Sequence, residues 1–261
     1  MARSKRKARR GLPSPRSVVA EMPLIPGGTR PGQLALAPGA APTYRILRTT
    51  EVDPYDTPVA ALSIPPIGAP AVAPPSDSFK GKARKATKLS IVAGAPRKFS
   101  DLKKLISVLP PDEDMIKHKP PITTKQTSRR VAEEKRNVRV RTFLYAASRE
   151  ADNDFHLIIG RSRSKSPSMY MTVELSGLPS KSSTHFKRLK KARESYKTFF
   201  ADQLPGLTYD FYDPPIPVEV EGSLFFDMSH ANGSKPGPKS LRDDIPTIWE
   251  IHPISKIVFE P

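Results

Sequence analysis

Cysteine is absent from this chain of 261 residues. Its absence excludes disulfide bonds, thiolate metal ligands and a cysteine nucleophile, and it leaves the redox compartment undetermined. No apolar run approaches the roughly 18 residues that a membrane-spanning helix requires, so the sequence predicts no membrane partner. No apolar stretch follows the basic start of the chain, which argues against a secretory signal. We therefore expect a cytoplasmic protein.

Aromatic residues are scarce in the first half of the chain, where proline is abundant. Fifteen of the 19 aromatic residues lie at 137–261, whereas 19 of the 30 prolines lie at 1–121. Buried aromatic side chains are a main source of core stability, and proline disrupts the hydrogen bonding of helices and sheets. We therefore predict a disordered, basic, proline- and alanine-rich arm at 1–99, a linker with short helices at 100–136, and one folded domain at 137–261.

Acidic residues are few in the same first half. Residues 1–136 carry 26 Lys and Arg against 11 Asp and Glu, whereas residues 137–261 carry 17 against 15. The net charge of +17 therefore belongs mainly to the arm, and a basic arm favours binding to a polyanion through release of counterions. The densest run supplies the first predicted nucleic-acid contacts: Arg3, Lys5, Arg6, Lys7, Arg9 and Arg10.

The linker contains one amphipathic stretch at 100–109. Ser100 can cap a short helix there, and two prolines at 110–111 end it. Its apolar face comprises Leu102, Leu105, Ile106 and Leu109. A helix this short is marginal alone, so we expect it to dock on the folded domain or on a protein partner.

The folded domain shows five extended stretches and one helical stretch. Alternating or continuous apolar patterns predict strands at 138–145, 154–160, 169–175, 218–226 and 248–259. Apolar residues at helical spacing predict a helix at 183–204. Gly222 marks a bend or bulge in the fourth strand, and Pro253 divides the fifth.

This order of elements predicts a mainly β fold. Three strands, a helix and two further strands match an OB-fold-like five-stranded barrel, in which residues 249–253 close against residues 218–226. The alternative is another small α+β sheet domain with the helix across one face.

Three stretches also carry a resemblance to a known group of proteins. The sequences DFHLI at 154–158, VEVEG at 218–222 followed by Phe226 and Asp227, and WEIHP at 249–253 resemble uncharacterised bacterial proteins with an OB-like barrel. The resemblance covers about the last 125 residues. It implies the barrel and a bacterial source, but it implies no activity and no functional residue.

OB barrels often bind oligonucleotides across the second and third strands. The corresponding candidates here are two aromatic rings and a basic loop: Phe155, Tyr170, Arg161, Arg163 and Lys165. A second candidate surface lies on the helix, at Lys187, Arg188, Lys190 and Lys191. Aromatic residues on a strand are more often core, and a basic helix face is usually only solvated.

Histidine stands beside a carboxylate at three places in the folded domain: Asp154 with His156, Asp227 with His230, and Glu250 with His252. Residues two apart on a strand share a face, so the first and third pairs can each converge on an ion. Imidazole and carboxylate ligands suit Zn, Mn or non-haem Fe. The spacing matches no named metal motif, and a histidine bonded to its neighbouring carboxylate explains each pair equally well.

Three functions remain open. The first is a non-enzymatic module that binds single-stranded nucleic acid or another polyanion with little sequence preference, aided by the arm. The second is a protein-interaction or scaffold module. The third is a metal-dependent hydrolase that uses the histidine–carboxylate pairs. No cofactor-binding motif is present, so no cofactor is predicted.

Overall fold

The computed structural model describes residues 11–24, 26–27, 44–53, 76–233 and 235–259. The predicted contacts at Arg3 to Arg10 therefore lie outside the described residues. The described residues form eight strands: β1 (Val18–Leu24), β2 (Tyr44–Thr49), β3 (Arg97–Phe99), β4 (Asn137–Arg149), β5 (Phe155–Gly160), β6 (Tyr170–Leu175), β7 (Asp210–Phe226) and β8 (Trp249–Phe259). The helices are α1 (Lys85–Lys88), α2 (Leu102–Ile106), α3 (Asp112–Ile116), α4 (Phe186–Phe200) and α5 (Lys239–Arg242). Two 3-10 turns span Ala132–Glu134 and Met228–His230.

The strands form one mixed sheet, which confirms the mainly β prediction. The order across the sheet is β1-β2-β7-β8-β6-β5-β4-β3, and β7 also pairs with β4. These pairings connect β4, β5, β6, β8 and β7 into a ring. Between β6 and β8 the ring is joined through one residue pair, Val173 with Ile251. The five-stranded OB barrel stays a prediction.

The described part of residues 1–99 differs from the predicted disordered arm. Strand β2 pairs antiparallel with the first half of β7, and β1 pairs with β2. Leu24 and Ile46 are fully buried, so apolar residues that looked too sparse to build a core join the core of the folded domain. Asp77 holds α4 through ion pairs with Arg193 (3.0 Å) and Lys197 (2.8 Å).

Helix α2 docks on the folded domain. Asp101, and not Ser100, caps it by accepting a hydrogen bond from the amide of Lys103 at 2.8 Å. Leu102 and Leu105 are buried in the main core. Because the domain itself supplies the apolar surface that this short helix needs, its apolar face is no longer available to a protein partner.

Strand β8 places the single tryptophan, Trp249, in the main core. Trp249 is fully buried, packs edge-to-face on Phe226, and donates from Nε1 to the carbonyl oxygen of Pro110 at 2.9 Å. Of the predicted closing segment, residues 249–251 pair with β7, whereas His252 and Pro253 lie at a shift of register and have no partner on β7. The strand nevertheless continues through Pro253 to Phe259. None of the helices within the described residues has the length and apolar character needed to span a membrane.

Gly222 is required where β7 bends against β8. The register of the two strands shifts on both sides of Gly222, which agrees with the predicted bulge. A Cβ at this position would clash with the carbonyl oxygen of Pro253 and lie 2.6 Å from a methyl carbon of Ile251. The close approach of two strands therefore leaves no room for a side chain.

We expect Gly222→Ala to lower the free energy of unfolding by about 1–3 kcal/mol, because the two strands must separate to admit the methyl group. Urea unfolding monitored by the fluorescence of Trp249 measures the change. Gly206→Ala is the matched control, since a Cβ at Gly206 meets nothing within 4 Å. Equal unfolding free energies for the two variants would contradict the steric argument.

Candidate metal centre

The strands β5, β6 and β8 are buried on both faces, and the two faces differ in chemistry. Phe155 and Leu157 of β5 pack in the main core, as do Met171 and Val173 of β6 and Ile251 of β8. The residues that alternate with them point to the opposite face. On that second face, residues near the β5–β6–β8 junction are ionisable and almost wholly buried.

The strand register brings these ionisable residues together. His156 of β5 lies directly opposite Glu174 of β6. The pairing of Val173 with Ile251 places the next residue of each strand, Glu174 and His252, side by side. Glu250 precedes that pair on β8 and shares the face of His252.

Three further elements complete the group. The turn between β4 and β5 contributes Glu150, and the 3-10 turn after β7 contributes Asp227 and His230. Helix α1 extends its last residue, Lys88, over the same face. We call the following nine residues the buried polar cluster: Lys88, Glu150, Asp154, His156, Glu174, Asp227, His230, Glu250 and His252.

Distances within the cluster are short. Nδ1 of His252 lies 2.9 Å from Oε2 of Glu174 and 3.5 Å from Oε2 of Glu250. Its Nε2 lies 3.4 Å from Oδ2 of Asp154. Nδ1 of His156 lies 2.5 Å from Oε1 of Glu150. His252 is therefore surrounded by three carboxylates, and both of its ring nitrogens face an oxygen.

Several of these atoms have close neighbours but no hydrogen bond of acceptable geometry. They are Oδ2 of Asp154, Nε2 of His156, Oε2 of Glu174, both carboxylate oxygens of Glu250 and both ring nitrogens of His252. The side chains of Asp154, Glu250 and His252 are fully buried. Buried polar groups are nearly always satisfied, so a concentration of unsatisfied ligand atoms requires a physical cause.

Carboxylates outnumber cations in the cluster. Five carboxylates face one ammonium group, Lys88, and three imidazoles. Burial alone would lower the pKa of His156, but the neighbouring carboxylate of Glu150 outweighs it and holds that pKa well above its ordinary value, so His156 supplies a second cation. Burial and the neighbouring carboxylate of Glu174 raise the pKa of Glu150 to about 8. Burial, reinforced by nearby carboxylates, raises the pKa of Asp154 and of Glu250 well above the ordinary range. Without a bound cation these groups must hold protons to remain buried.

The pKa of the His252 imidazole is shifted in the opposite direction. Burial lowers its pKa, which favours the neutral form that binds metals. Burial alone would raise the pKa of Glu174, but His252 and Lys88 outweigh it and hold the pKa well below its ordinary value. Glu174 is therefore the carboxylate of the cluster most ready to act as an anionic ligand.

The cluster divides into three sets whose ligand atoms lie within 4.8 Å of one another. The first set is Glu150, His156 and Glu174; the second is Asp154, Glu174 and His252; the third is Asp227, His230 and Glu250. Each set joins one imidazole to two carboxylates. Glu174 belongs to two sets, so its carboxylate can bridge two ions.

The six residues that the sequence singled out as metal ligands all lie in this cluster. The structure places Asp227 beside His230 and Glu250 beside His252, as predicted. The third pair is not formed, because Asp154 faces His252 and His156 faces Glu150. Metal binding itself stays a prediction. Glu150, Glu174 and Lys88 were missed. Glu174 had a signal, since it is an acidic residue within an otherwise apolar strand. Lys88 had none, because it closes a run of cations that is typical of a solvated segment.

The residues of β5, β6 and the intervening loop that were predicted to contact nucleic acid instead make contacts within the domain. Phe155 is fully buried and Tyr170 is 3% exposed, so neither ring is available to stack on a base. Both rings pack within the domain because β5 and β6 are covered on both faces. Arg161 and Lys165 pair with Asp101, at 3.0 and 2.7 Å, and Arg163 pairs with Asp213 at 2.8 Å. Ion pairs therefore connect the loop at 161–165 to the start of α2 and to β7.

On α4, the four predicted contacts divide into two kinds. Arg188 bonds Glu221 at 2.6 Å and Lys190 pairs with Glu194 at 3.2 Å. Lys187 and Lys191 are exposed to solvent. This face is consistent with a solvated helix surface, and its role in binding stays a prediction.

Comparison of the chain with protein-family models, with curated protein sequences and with solved structures found no match. The resemblance to uncharacterised bacterial proteins with an OB-like barrel therefore stays a prediction.

Proposed function

We propose that the protein binds divalent metal ions through the buried polar cluster. The observation that carries the proposal is the second ligand set, Asp154, Glu174 and His252, whose ligand atoms lie within 4.8 Å of one another and are buried without a hydrogen bond. Oε2 of Glu174 faces Nδ1 of His252 and Oδ2 of Asp154 faces Nε2, so one ring nitrogen at a time can join the carboxylates around an ion. A cation bound by that nitrogen and the carboxylates would satisfy buried ligand atoms and neutralise carboxylate charge.

The ligand set limits the choice of metal. Imidazole nitrogen and carboxylate oxygen, without sulfur, suit Zn²⁺, Mn²⁺ and Fe²⁺. Seven of the eight ligands come from strands or their immediate ends, so the sheet fixes their positions. The side chains of the cluster are at most 15% exposed, with Glu150 the most accessible. Closed sites are typical of metals that are held, whereas catalytic sites keep an open position. We therefore favour a metal-holding role over the hydrolase alternative.

The proposal includes the finer description of the fold. We infer that β4, β5, β6, β8 and β7 correspond to the five strands of an OB-like barrel, with α4 between the third and the fourth. The pairing order and the place of α4 support this inference. The metal centre would then lie on the outside of the barrel, covered by α1 and by the segment after β7.

Nucleic-acid binding by the basic run at 3–10 remains a separate prediction, because that run lies outside the described residues. A protein-interaction role also remains open. The apolar face of α2, the surface predicted for such a partner, is used within the domain.

We expect the metal-stripped chain to take up at least one Zn²⁺ or Mn²⁺ ion, and its thermal midpoint to rise. At free metal about 100 times the dissociation constant, the gain is about 2.7 kcal/mol. For a chain of this size that corresponds to roughly 5–10 °C. Elemental analysis and thermal unfolding measure the two quantities.

His252→Ala tests whether uptake occurs at the cluster, because His252 contacts three carboxylates. His118→Ala is the matched control, since His118 also pairs with a carboxylate, Glu133 at 3.2 Å, but lies on the surface. Uptake that is lost in the first variant and kept in the second supports the proposal. No uptake by the wild-type chain, or equal uptake by both variants, would overturn it.

A further inference from the structure

Four clefts adjoin one another on the surface formed by α2, β3 and the segment 118–136. Their volumes are about 780, 310, 670 and 520 Å³. Neighbouring clefts share lining residues: Arg97 joins the first to the second, Lys135 the second to the third, and Arg129 the third to the fourth. Together they form an extended depression, which we call the basic groove.

The groove is lined by cations. Ten Lys and Arg residues line the four clefts, and among the described lining residues there is one carboxylate, Glu219. That carboxylate is already occupied, because it lies 3.3 Å from Arg141 and 3.8 Å from Arg139. A surface with so little internal compensation attracts an anion along its whole length.

Six of these cations are exposed to solvent and form no ion pair with a described residue: Arg97, Lys98, Lys104, Lys119, Arg129 and Lys135. They occur at intervals from one end of the groove to the other, since Lys98 and Lys104 line the first cleft and Arg129 the last. A single bound ion would engage one cleft, whereas a chain of anions would engage all four.

Cations of the groove also lie beside one another. Burial lowers the pKa of Arg136, and the neighbouring charge of Arg97 adds to the shift. An anion in the groove would offset the repulsion between these two guanidinium groups.

We propose that the basic groove binds the sugar–phosphate backbone of single-stranded nucleic acid. A positively charged groove that follows the backbone is the usual basis of binding without sequence preference. Phe99, the aromatic residue of the first cleft, is 8% exposed and is covered by Arg97 at 5.1 Å from its ring centre. Because the phenyl ring offers little stacking surface, phosphate contacts carry the affinity.

This groove is distinct from the surfaces predicted on β5, β6 and α4, and it does not depend on the proposed metal centre. The two sites are nevertheless close, because Arg130 donates a hydrogen bond to the carbonyl oxygen of His252 at 2.7 Å. Failure of metal uptake would leave the groove proposal intact, and failure of nucleic-acid binding would leave the metal proposal intact.

The test uses the full chain and a fluorescein-labelled 15-nucleotide oligothymidine, with fluorescence anisotropy measured from 50 to 300 mM salt. The groove variant replaces Lys98, Lys104, Arg129 and Lys135 with glutamine. The control variant replaces four other exposed cations, Lys80, Lys181, Lys235 and Lys239, with glutamine and has the same net charge. The basic run at 3–10 is present in all three proteins, so its contribution cancels.

We expect the groove variant to bind at least tenfold more weakly at 100 mM salt, and its slope of log affinity against log salt to be smaller by about 3. The expected change in slope is about 0.7 for each phosphate contact that is lost, taken over the four replaced cations. The control should change affinity by less than threefold. Equal weakening of both variants, no weakening of either, or no binding at 50 mM salt by the full chain would overturn the proposal. Equally tight, groove-dependent binding of poly-glutamate would also overturn it, in favour of an acidic protein partner.

Discussion

Replacement of Glu174 with glutamine is expected to abolish metal binding at two of the three ligand sets at once. Its carboxylate is the shared member of the sets that contain His156 and His252. Glutamine keeps the size of the side chain but removes the negative charge and one ligand oxygen. Each affected set is then left with one imidazole and one carboxylate.

The size of the effect follows from the position of the residue. Outer-shell partners of a metal typically contribute 10–100-fold to affinity, so the loss of a direct ligand should cost more than about 100-fold. The third set, Asp227, His230 and Glu250, does not contain Glu174. A metal-loaded wild-type chain with two or more ions should therefore become a chain with at most one ion.

Metal content by elemental analysis and affinity by competition with a chelator give the two readouts. Glu194→Gln on the exposed face of α4 is the matched control, because it makes the same chemical change at a surface pair with Lys190. If Glu174→Gln binds as much metal as Glu194→Gln, with the same affinity, Glu174 is not a ligand.

The strands of the site could largely be predicted from the sequence. The alternation of DFHLI and WEIHP correctly places Asp154 with His156, and Glu250 with His252, on shared faces. What alternation cannot supply is the register between strands. Glu174 meets His156 and His252 only because β6 lies between β5 and β8, and pairing partners so distant in sequence are not encoded in either stretch alone.

Phe155 and Tyr170 are buried on different faces of the sheet. Phe155 packs in the main core, as aromatic residues on a strand commonly do, whereas Tyr170 lies on the second face. A strand of an isolated small barrel has one face in the core and one in solvent. Here the second face is covered by α1 and by the segment that follows β7. Those covering segments contain glycine, proline and lysine, whose composition is typical of exposed loops and indicates no buried role.

Residues 76–99, within the predicted arm, are another segment whose buried role cannot be recognised from its composition. Composition describes this stretch as basic, but the predicted disorder does not hold for it, because it contains α1 and β3 and buries Arg84 and Lys88. A long cationic side chain can be buried when a carboxylate faces it, and the partner carboxylates lie far along the chain. Lys88 faces Glu174 at 3.9 Å, and Arg84 faces Glu134.

The pair of Arg84 and Glu134 provides the second large prediction. The side chains of both residues are at most 1% exposed, and the guanidinium donates to both carboxylate oxygens at 2.7 Å. Arg84 also donates to the carbonyl oxygen of Phe226 at 3.0 Å, while Glu134 accepts from the amide of Phe226 at 2.9 Å. The pair therefore joins the segment before α1 to the end of β7.

We expect Arg84→Met to lower the free energy of unfolding by about 3–5 kcal/mol, because it leaves the carboxylate of Glu134 buried without its cation. Glu134→Gln should cost a similar amount for the opposite reason. The double variant should lose clearly less than the sum of the two, since neither charge is then left unpaired. Urea unfolding followed by the fluorescence of the buried Trp249 measures all three.

Lys190→Met is the matched control for this series, because it removes a cation from an exposed pair on α4 whose expected contribution is about 0.3–0.5 kcal/mol. A loss in Arg84→Met no larger than in Lys190→Met would mean that residues 76–99 do not belong to the cooperative unit. A large loss would show that this basic segment is part of the fold. Lys88 follows Arg84 by four residues, so the same anchoring holds its ammonium group over the carboxylates of the metal centre.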